Sequence, residues 1–151
     1  MSSQRRTHRF DRLSGLEFET YCAGLLKRCG YKNVTLTGGS GDQGIDIIAT
    51  KHRKTYGIQC KKYDGRVGNK AVQQAYAGCT YYGLDYAVVL TNSYFTRSAY
   101  ELAEETDVLL WDRDILLRLK KPARIWGILS GLLLSAIVIG TAFLLVYTMM
   151  H

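Results

Sequence analysis

The chain has 151 residues, a formal net charge of +7 and an isoelectric point near 9.3. That length supports one domain with a real core and little more. Four cysteines with no Cys-x-x-Cys pair, and no histidine at zinc-ligand spacing, argue against a zinc module or a disulfide scaffold and read as small buried residues in a reducing compartment.

The charge is unevenly spread. Residues 1–12 hold four Arg against one Asp, and residues 51–70 hold seven Lys or Arg against one Asp, whereas residues 85–112 are net acidic. Basic clusters of this kind suit a phosphate backbone, although a solvated basic face reads the same from charge alone. The N-terminus is polar and Arg-rich, without the apolar core of a secretory signal, and residues 1–12 are predicted to be a flexible basic arm.

Ser14 followed by Glu17 is a capping box that starts a helix. Phe18, Cys22, Leu25, Leu26 and Cys29 follow at helical spacing, and Gly30 ends the element. Glu17 therefore has a structural task at the helix start. Glu19 shares the stripe of Cys22, Ala23 and Leu26, where a carboxylate needs a reason, so Glu19 is the better site candidate.

Residues 33–37 read as a short strand. A loop with four glycines, residues 37–44, comes next; Asp42 in it reads as a turn former, with a supporting role behind the site left open. Strands are predicted over 45–50 and 55–63, joined by the basic turn Lys51, His52, Arg53, Lys54. In a strand, residues two apart share a face, so Gln59 and Lys61 project together and Cys60 points the other way, into packing. If the two strands form a hairpin, Asp46 reaches the same spot. A carboxylate, an amide and an ammonium then converge in an apolar sheet, an arrangement that is costly unless they bind a metal or one another.

A helix is predicted over 69–82, a buried strand over 86–92, a helix over 94–107, a short strand over 108–111 and a closing helix over 112–120. This order implies an α/β domain with a mixed β-sheet flanked by helices, over residues 13–120. Pro122 lies in a short basic linker, 121–124. Residues 125–150 are uncharged and apolar over 26 positions. As a helix they would run about 39 Å at ~1.5 Å per residue, enough to cross a bilayer core of ~30 Å. The Lys/Arg excess before this span predicts a cytoplasmic domain on a single-pass membrane protein touching lipid through residues 125–150. Gly127, Gly131 and Ser135 fall on one stripe of the span, which raises the expectation of a homodimer.

Two of these stretches carry a resemblance. Gly41-Asp42-Gln43-Gly44-Ile45-Asp46, followed thirteen positions on by Gln59-Cys60-Lys61, resembles the catalytic core of the Mrr-type restriction endonuclease family, within the PD-(D/E)xK nuclease superfamily. Leu13 to Glu19 resembles the opening helix of that family, and Gly30-Tyr31 its end. The resemblance implies a restriction-endonuclease-like core and a Mg²⁺- or Mn²⁺-dependent DNA endonuclease. It further implies that Asp46, the Gln59 amide oxygen and the Cys60 carbonyl hold the metal, and that Lys61 polarises or orients the attacking water. Glu19 would bind a second metal or a bridging water. A glutamine of the 69–82 helix would approach the metal, with Gln73 and Gln74 both open. Lys51, Arg53, Lys54, Lys62, Arg66 and Lys70 are the expected DNA contacts. Two other classes remain: a catalytically silent DNA-binding or scaffold module at a membrane, and a membrane interaction protein that uses only its basic ends.

Overall fold

The structure, a computed structural model, describes residues 7–38 and 43–120. Its nine regular elements follow the predicted order. Helix α1 is Gly15–Arg28, with strands β1 Lys32–Leu36, β2 Ile47–Lys51 and β3 Lys54–Lys61 after it. Helix α2 Asn69–Tyr82, strand β4 Tyr86–Thr91, helix α3 Arg97–Thr106, strand β5 Leu109–Trp111 and helix α4 Arg113–Lys120 complete the domain. The sheet order is β1-β2-β3-β4-β5, antiparallel across the first three strands and parallel from β3 to β5. The long crossovers that parallel pairing needs are supplied by α2 and α3.

The helices divide over the two faces. Phe18, Cys22, Leu25 and Leu26 of α1 and Leu116 of α4 pack with Ile47, Ile58, Cys60, Val88 and Leu90. Ala71, Val72 and Ala75 of α2 and Ala99 and Ala103 of α3 pack with Ala87 and Val89 on the other face. The small residues of that second layer let the helices lie close to the sheet. Residues 58 to 60 and 87 to 90 are buried on both faces, as expected of central strands in a partly parallel sheet.

The predicted boundaries move where side chains intervene. The Ser14 cap forms as expected: Glu17 N–H donates to Ser14 Oγ at 3.3 Å, and Ser14 N–H donates to the Glu17 carboxylate at 2.8 Å. The third helix starts at Arg97 rather than at 94, because Thr96 Oγ1 accepts from Ala99 N–H at 3.2 Å and caps it. The second strand begins at Ile47 rather than at 45: Gln43 and Gly44 form the turn, and Ile45 and the bend at Asp46 lead from it into the strand.

The largest departure concerns the N-terminal arm. Residues 9–12 are not part of a flexible arm: Arg9–Arg12 form a 3₁₀ turn, Phe10 is fully buried, and Asp11 pairs with Arg113. A basic, polar run conceals this because only one residue in it is a large apolar anchor. Residues 1–6, Asp42, the linker 121–124 and the apolar segment 125–150 lie outside the described residues. Among the described residues no helix is long and apolar enough to cross a membrane.

Candidate active site

The glycine turn delivers Asp46 by docking on α2. Gln43 and Gly44 have positive φ, +48° and +84°. A Cβ on Gly44 would stand 2.7 Å from the Gln74 carbonyl oxygen, and one on Gly78 would meet the Gln43 carbonyl and the Ile45 side chain. No residue larger than glycine fits either contact without a shift, so the two glycines permit a turn to lie directly on a helix. Ile45 anchors the turn by its complete burial.

Beyond that turn the β2–β3 ladder begins with Asp46 N–H donating to the Ile58 carbonyl at 2.9 Å. The next donor on β3, Cys60 N–H, has no strand opposite it. The Asp46 carboxylate takes that place, its Oδ2 accepting from Cys60 N–H at 2.6 Å and from Gln59 Nε2 at 2.5 Å. Both Asp46 and Gln59 are buried. A buried carboxylate needs donors, and these two orient it.

The strand alternation is as the sequence implies. Gln59 and Lys61 pair in register with Val89 and Thr91, and Val89 lies in the α2–α3 layer. Cys60 belongs to the α1 layer. Lys61 lines a cleft of about 160 Å³ with Tyr63, Val67, Gly68, Lys70, Ala71 and Gln74. Of the two glutamines left open, Gln74 lines this cleft and Gln73 is exposed. The site thus lies at the carboxyl ends of the parallel strands β3 and β4, where ligands of open α/β sheets bind.

Glu19 is half-buried on α1, on the Cys60 side of the sheet. The Cys60 thiol is pushed well above the usual range by a hydrogen bond with Cys22, by burial, and by the neighbouring charges, Asp46 and Glu19 among them. Glu19 and Asp46 thus both act on the Cys60 thiol, whereas Glu17 is committed to the cap. The four cysteines are free thiols; three are buried and Cys29 is half-buried. Among the described residues no three His, Cys, Asp or Glu side chains converge as a metal cluster.

The expected DNA-contacting cations fall into two groups. Lys61 and Lys70 line the cleft, Lys62 stands 3.3 Å from Asp64, and Arg66 donates to the Phe95 carbonyl at 2.9 Å. Lys51, Arg53 and Lys54 are not in this cluster. They sit at the β2–β3 turn; Lys54, the first residue of β3, is seven residues before Lys61, or ~23 Å at ~3.3 Å per residue. Lys51 donates to the Cys29 carbonyl at 3.0 Å and lies over the Tyr31 ring, and Lys54 pairs with Asp85 at 2.8 Å.

Sequence reading misses a further polar set. Thr91, Asn92, Ser93 and Arg113 are buried at the end of β4 and the start of α4. The available signal is a Thr-Asn-Ser run closing an otherwise apolar strand.

A mixed five-stranded sheet between helical layers, with Asp46, Gln59 and Lys61 at its carboxyl end, defines a restriction-endonuclease-like nuclease domain. The chain belongs to the Mrr_cat family, restriction endonuclease, whose pattern matches residues 10–120. Two solved structures are similar in fold. The DNA modification-dependent restriction endonuclease AspBHI superposes with a TM-score of 0.54 at 20% identity, over 86% of this chain and 41% of that one. A protein of unknown function, AF1548, superposes with a TM-score of 0.53 at 23% identity, over 62% of this chain and 55% of that one. The chain thus spans about half the length of these relatives or less. No curated protein matches it.

Proposed function

We propose that this protein is a Mg²⁺- or Mn²⁺-dependent DNA endonuclease that hydrolyses phosphodiester bonds. The observation that supports it most is the buried Asp46–Gln59 pair, fixed by the Cys60 N–H beside a cleft lined by Lys61 and Lys70. The donor set fits a hard cation. Asp46 offers an anionic oxygen and the Cys60 carbonyl a neutral one. Gln59 turns its amide nitrogen to Asp46, which leaves its amide oxygen as the ligating atom. A bound divalent cation would supply charge neutralisation at the phosphate and a more acidic water.

The protein's own groups do the rest. Gln59 and Cys60 N–H hold the carboxylate still, so no reorganisation is needed when charge develops. Lys61, on the same strand face as Gln59, orients water and balances negative charge on the phosphate. Glu19 adds a second negative centre for another cation or a bridging water. Lys62, Arg66 and Lys70 contact the flanking backbone phosphates.

The test is cleavage of plasmid and linear DNA by the full chain in Mg²⁺ and in Mn²⁺, with EDTA as control. Asp46→Ala and Lys61→Ala abolish cutting while binding persists. A single carboxylate in direct contact with Gln59 also suits a silent DNA-binding module. Wild-type protein that binds DNA but never cuts it in either metal would establish that second reading and remove the first.

We further propose that residues 125–150 anchor the domain to the cytoplasmic face of a membrane and pair two copies. External protease on intact cells should leave the domain uncut, and Gly131→Ile should weaken self-association of the span. Digestion from outside overturns the topology, and an unchanged association signal overturns the pairing.

A further inference from the structure

We propose that Thr91, Asn92 and Ser93 are positioning residues for Lys61 and for the basic segment 62–66 that follows it. The functional meaning rests on the endonuclease reading; the physical claim does not. After Lys61 the backbone pairing of β3 with β4 stops, and it resumes only at the isolated bridge Val67–Phe95. Between those points runs a stretch that carries Lys62 and Arg66, contains Gly65 and is largely exposed. Left to itself such a segment would open locally at little cost.

Side chains bridge the gap. Thr91 Oγ1–H donates to the Lys61 carbonyl at 2.6 Å. Tyr63 N–H donates to Asn92 Oδ1 at 2.7 Å, and Ser93 Oγ–H donates to the Gly65 carbonyl at 2.6 Å. Backbone bonds then close the run: Val67 N–H to Tyr94 O and Thr96 N–H to Val67 O, both 2.9 Å. Every second residue from Lys61 to Val67 is thus held by a successive residue from Thr91 to Tyr94. The side chains of three consecutive residues continue the ladder where backbone groups no longer meet.

These three side chains are buried, at 0, 4 and 2% exposure. Burial of an unpartnered hydroxyl or amide is unfavourable, so polar groups kept there are explained by the bonds they make. Among the described residues the buried polar side chains are Asp46, Gln59, Thr91, Asn92, Ser93 and Arg113. The first two belong to the site, the next three to the clamp, and Arg113 fixes the clamp from behind. Its guanidinium donates to the Asn92 carbonyl at 2.8 Å and to both Asp11 oxygens at 2.6 and 2.7 Å, and its N–H donates to the Ser93 carbonyl at 2.8 Å. Asn92 Nδ2 also donates to Asp11 at 3.3 Å. A clamp that is itself immobilised can place the Lys61 backbone within the ~0.5 Å that such a site needs.

The test uses the full chain with Thr91→Val, which removes the hydroxyl but keeps the branched shape, and Thr91→Ser, which keeps the hydroxyl. Cleavage rate, DNA affinity, thermal midpoint and amide hydrogen exchange of Tyr63 and Val67 are read together. Thr91→Val should lower kcat roughly tenfold, a fraction of the ~10²-fold that a 1 Å misplacement costs. It should change DNA affinity by no more than about twofold and speed exchange at Tyr63 and Val67, the two hydrogen-bonded amides of the run; about twofold is small beside the roughly tenfold that each 1.4 kcal/mol of binding represents. Thr91→Ser should recover most of the rate. Equal losses in Val and Ser, or a loss that merely follows the thermal midpoint, overturn the proposal. Should Thr91→Val fail to fold, Ser93→Ala gives the same reading through exchange at Val67, whose N–H donates to the Tyr94 carbonyl just beyond the Gly65 contact. If wild type cuts no DNA, the endonuclease reading falls alone; exchange still decides the clamp, and unchanged exchange in Thr91→Val or Ser93→Ala overturns it.

Discussion

Both ends of β3 are basic, and their cations are placed differently. At the β2–β3 turn two of the three cations are joined to structure: Lys51 to the Cys29 carbonyl and the Tyr31 ring, Lys54 to Asp85. Hydrogen bonds from Lys54 and Thr55 hold the Asp85 carboxyl well below the usual carboxylate range. At the carboxyl end Lys61 and Lys70 line a cleft beside a fixed carboxylate, and Lys62 and Arg66 ride on a segment clamped from β4. One basic window of sequence therefore separates into a group at the turn and a group at the cleft. The separation follows from strand length, because seven extended residues span ~23 Å.

The sharpest way to break this contrast is to remove one lysine from each end. Lys61→Ala should abolish cutting, a fall in rate of at least ~10²–10³, the scale seen when one charge-stabilising group is removed from an active site. Lys54→Ala should leave it within about twofold, since an exposed ion pair contributes ~0–1 kcal/mol of stability and nothing to the chemistry. Comparable losses at both positions would mean that the DNA runs along the whole strand.

A second contrast is between buried and exposed ion pairs. The Arg113–Asp11 pair underlies the site end, with side-chain exposures of 4% and 17%. Asp11→Ala leaves the Arg113 charge unpaired and should cost ~3 kcal/mol or more in urea unfolding. Acid acts on the same group. Burial alone would raise the Asp11 pKa, but hydrogen bonds from Arg113, His8 N–H and Asn92, with the Arg113 charge, bring it from 3.8 down to about 2. A pKa lowered on folding contributes stability that is present above the unfolded value and lost as pH falls through the folded one. Between about pH 5 and pH 2 wild type should therefore lose on the order of 2 kcal/mol that Asp11→Asn does not lose. Parallel acid profiles of the two proteins would remove the pair from the account of stability.

DNA binding distinguishes the ends by salt. Lys62→Ala and Arg66→Ala should each flatten the slope of log K against log salt by ~0.9, one phosphate contact apiece, while Arg53→Ala leaves it unchanged. An equal flattening by Arg53→Ala would extend the interface to the turn.

The smallest effect separates the two glutamates of α1. Glu17→Ala should cost ~0.5–2 kcal/mol of stability through the capping box and leave the rate of the surviving protein intact. Glu19→Gln should lower activity with little change in melting. The reverse pattern would move the site role to Glu17.

What the sequence by itself determined is what short-range geometry fixes. The Ser14–Glu17 cap, the α1 stripe and the shared face of Gln59 and Lys61 depend on spacings of three, four and two residues, which the backbone repeats of helix and strand impose. The element order implied the mixed sheet, and the opening helix, the glycine turn and the Asp46…Gln59-x-Lys61 set, taken together and in that order, carried the resemblance to the family. Only the tertiary structure decided the rest. Phe10 and Asp11 were hidden in a basic run because their partners lie on other elements, Arg113 being 102 positions away. The clamp joins residues about thirty positions apart, and the cysteine neighbours Cys22 and Cys60 sit on different elements. No periodicity encodes such pairs. They are selected by which buried donors and acceptors the packed sheet brings within hydrogen-bond reach, and that is settled only once α1, α4 and the ends of β3 and β4 share one core.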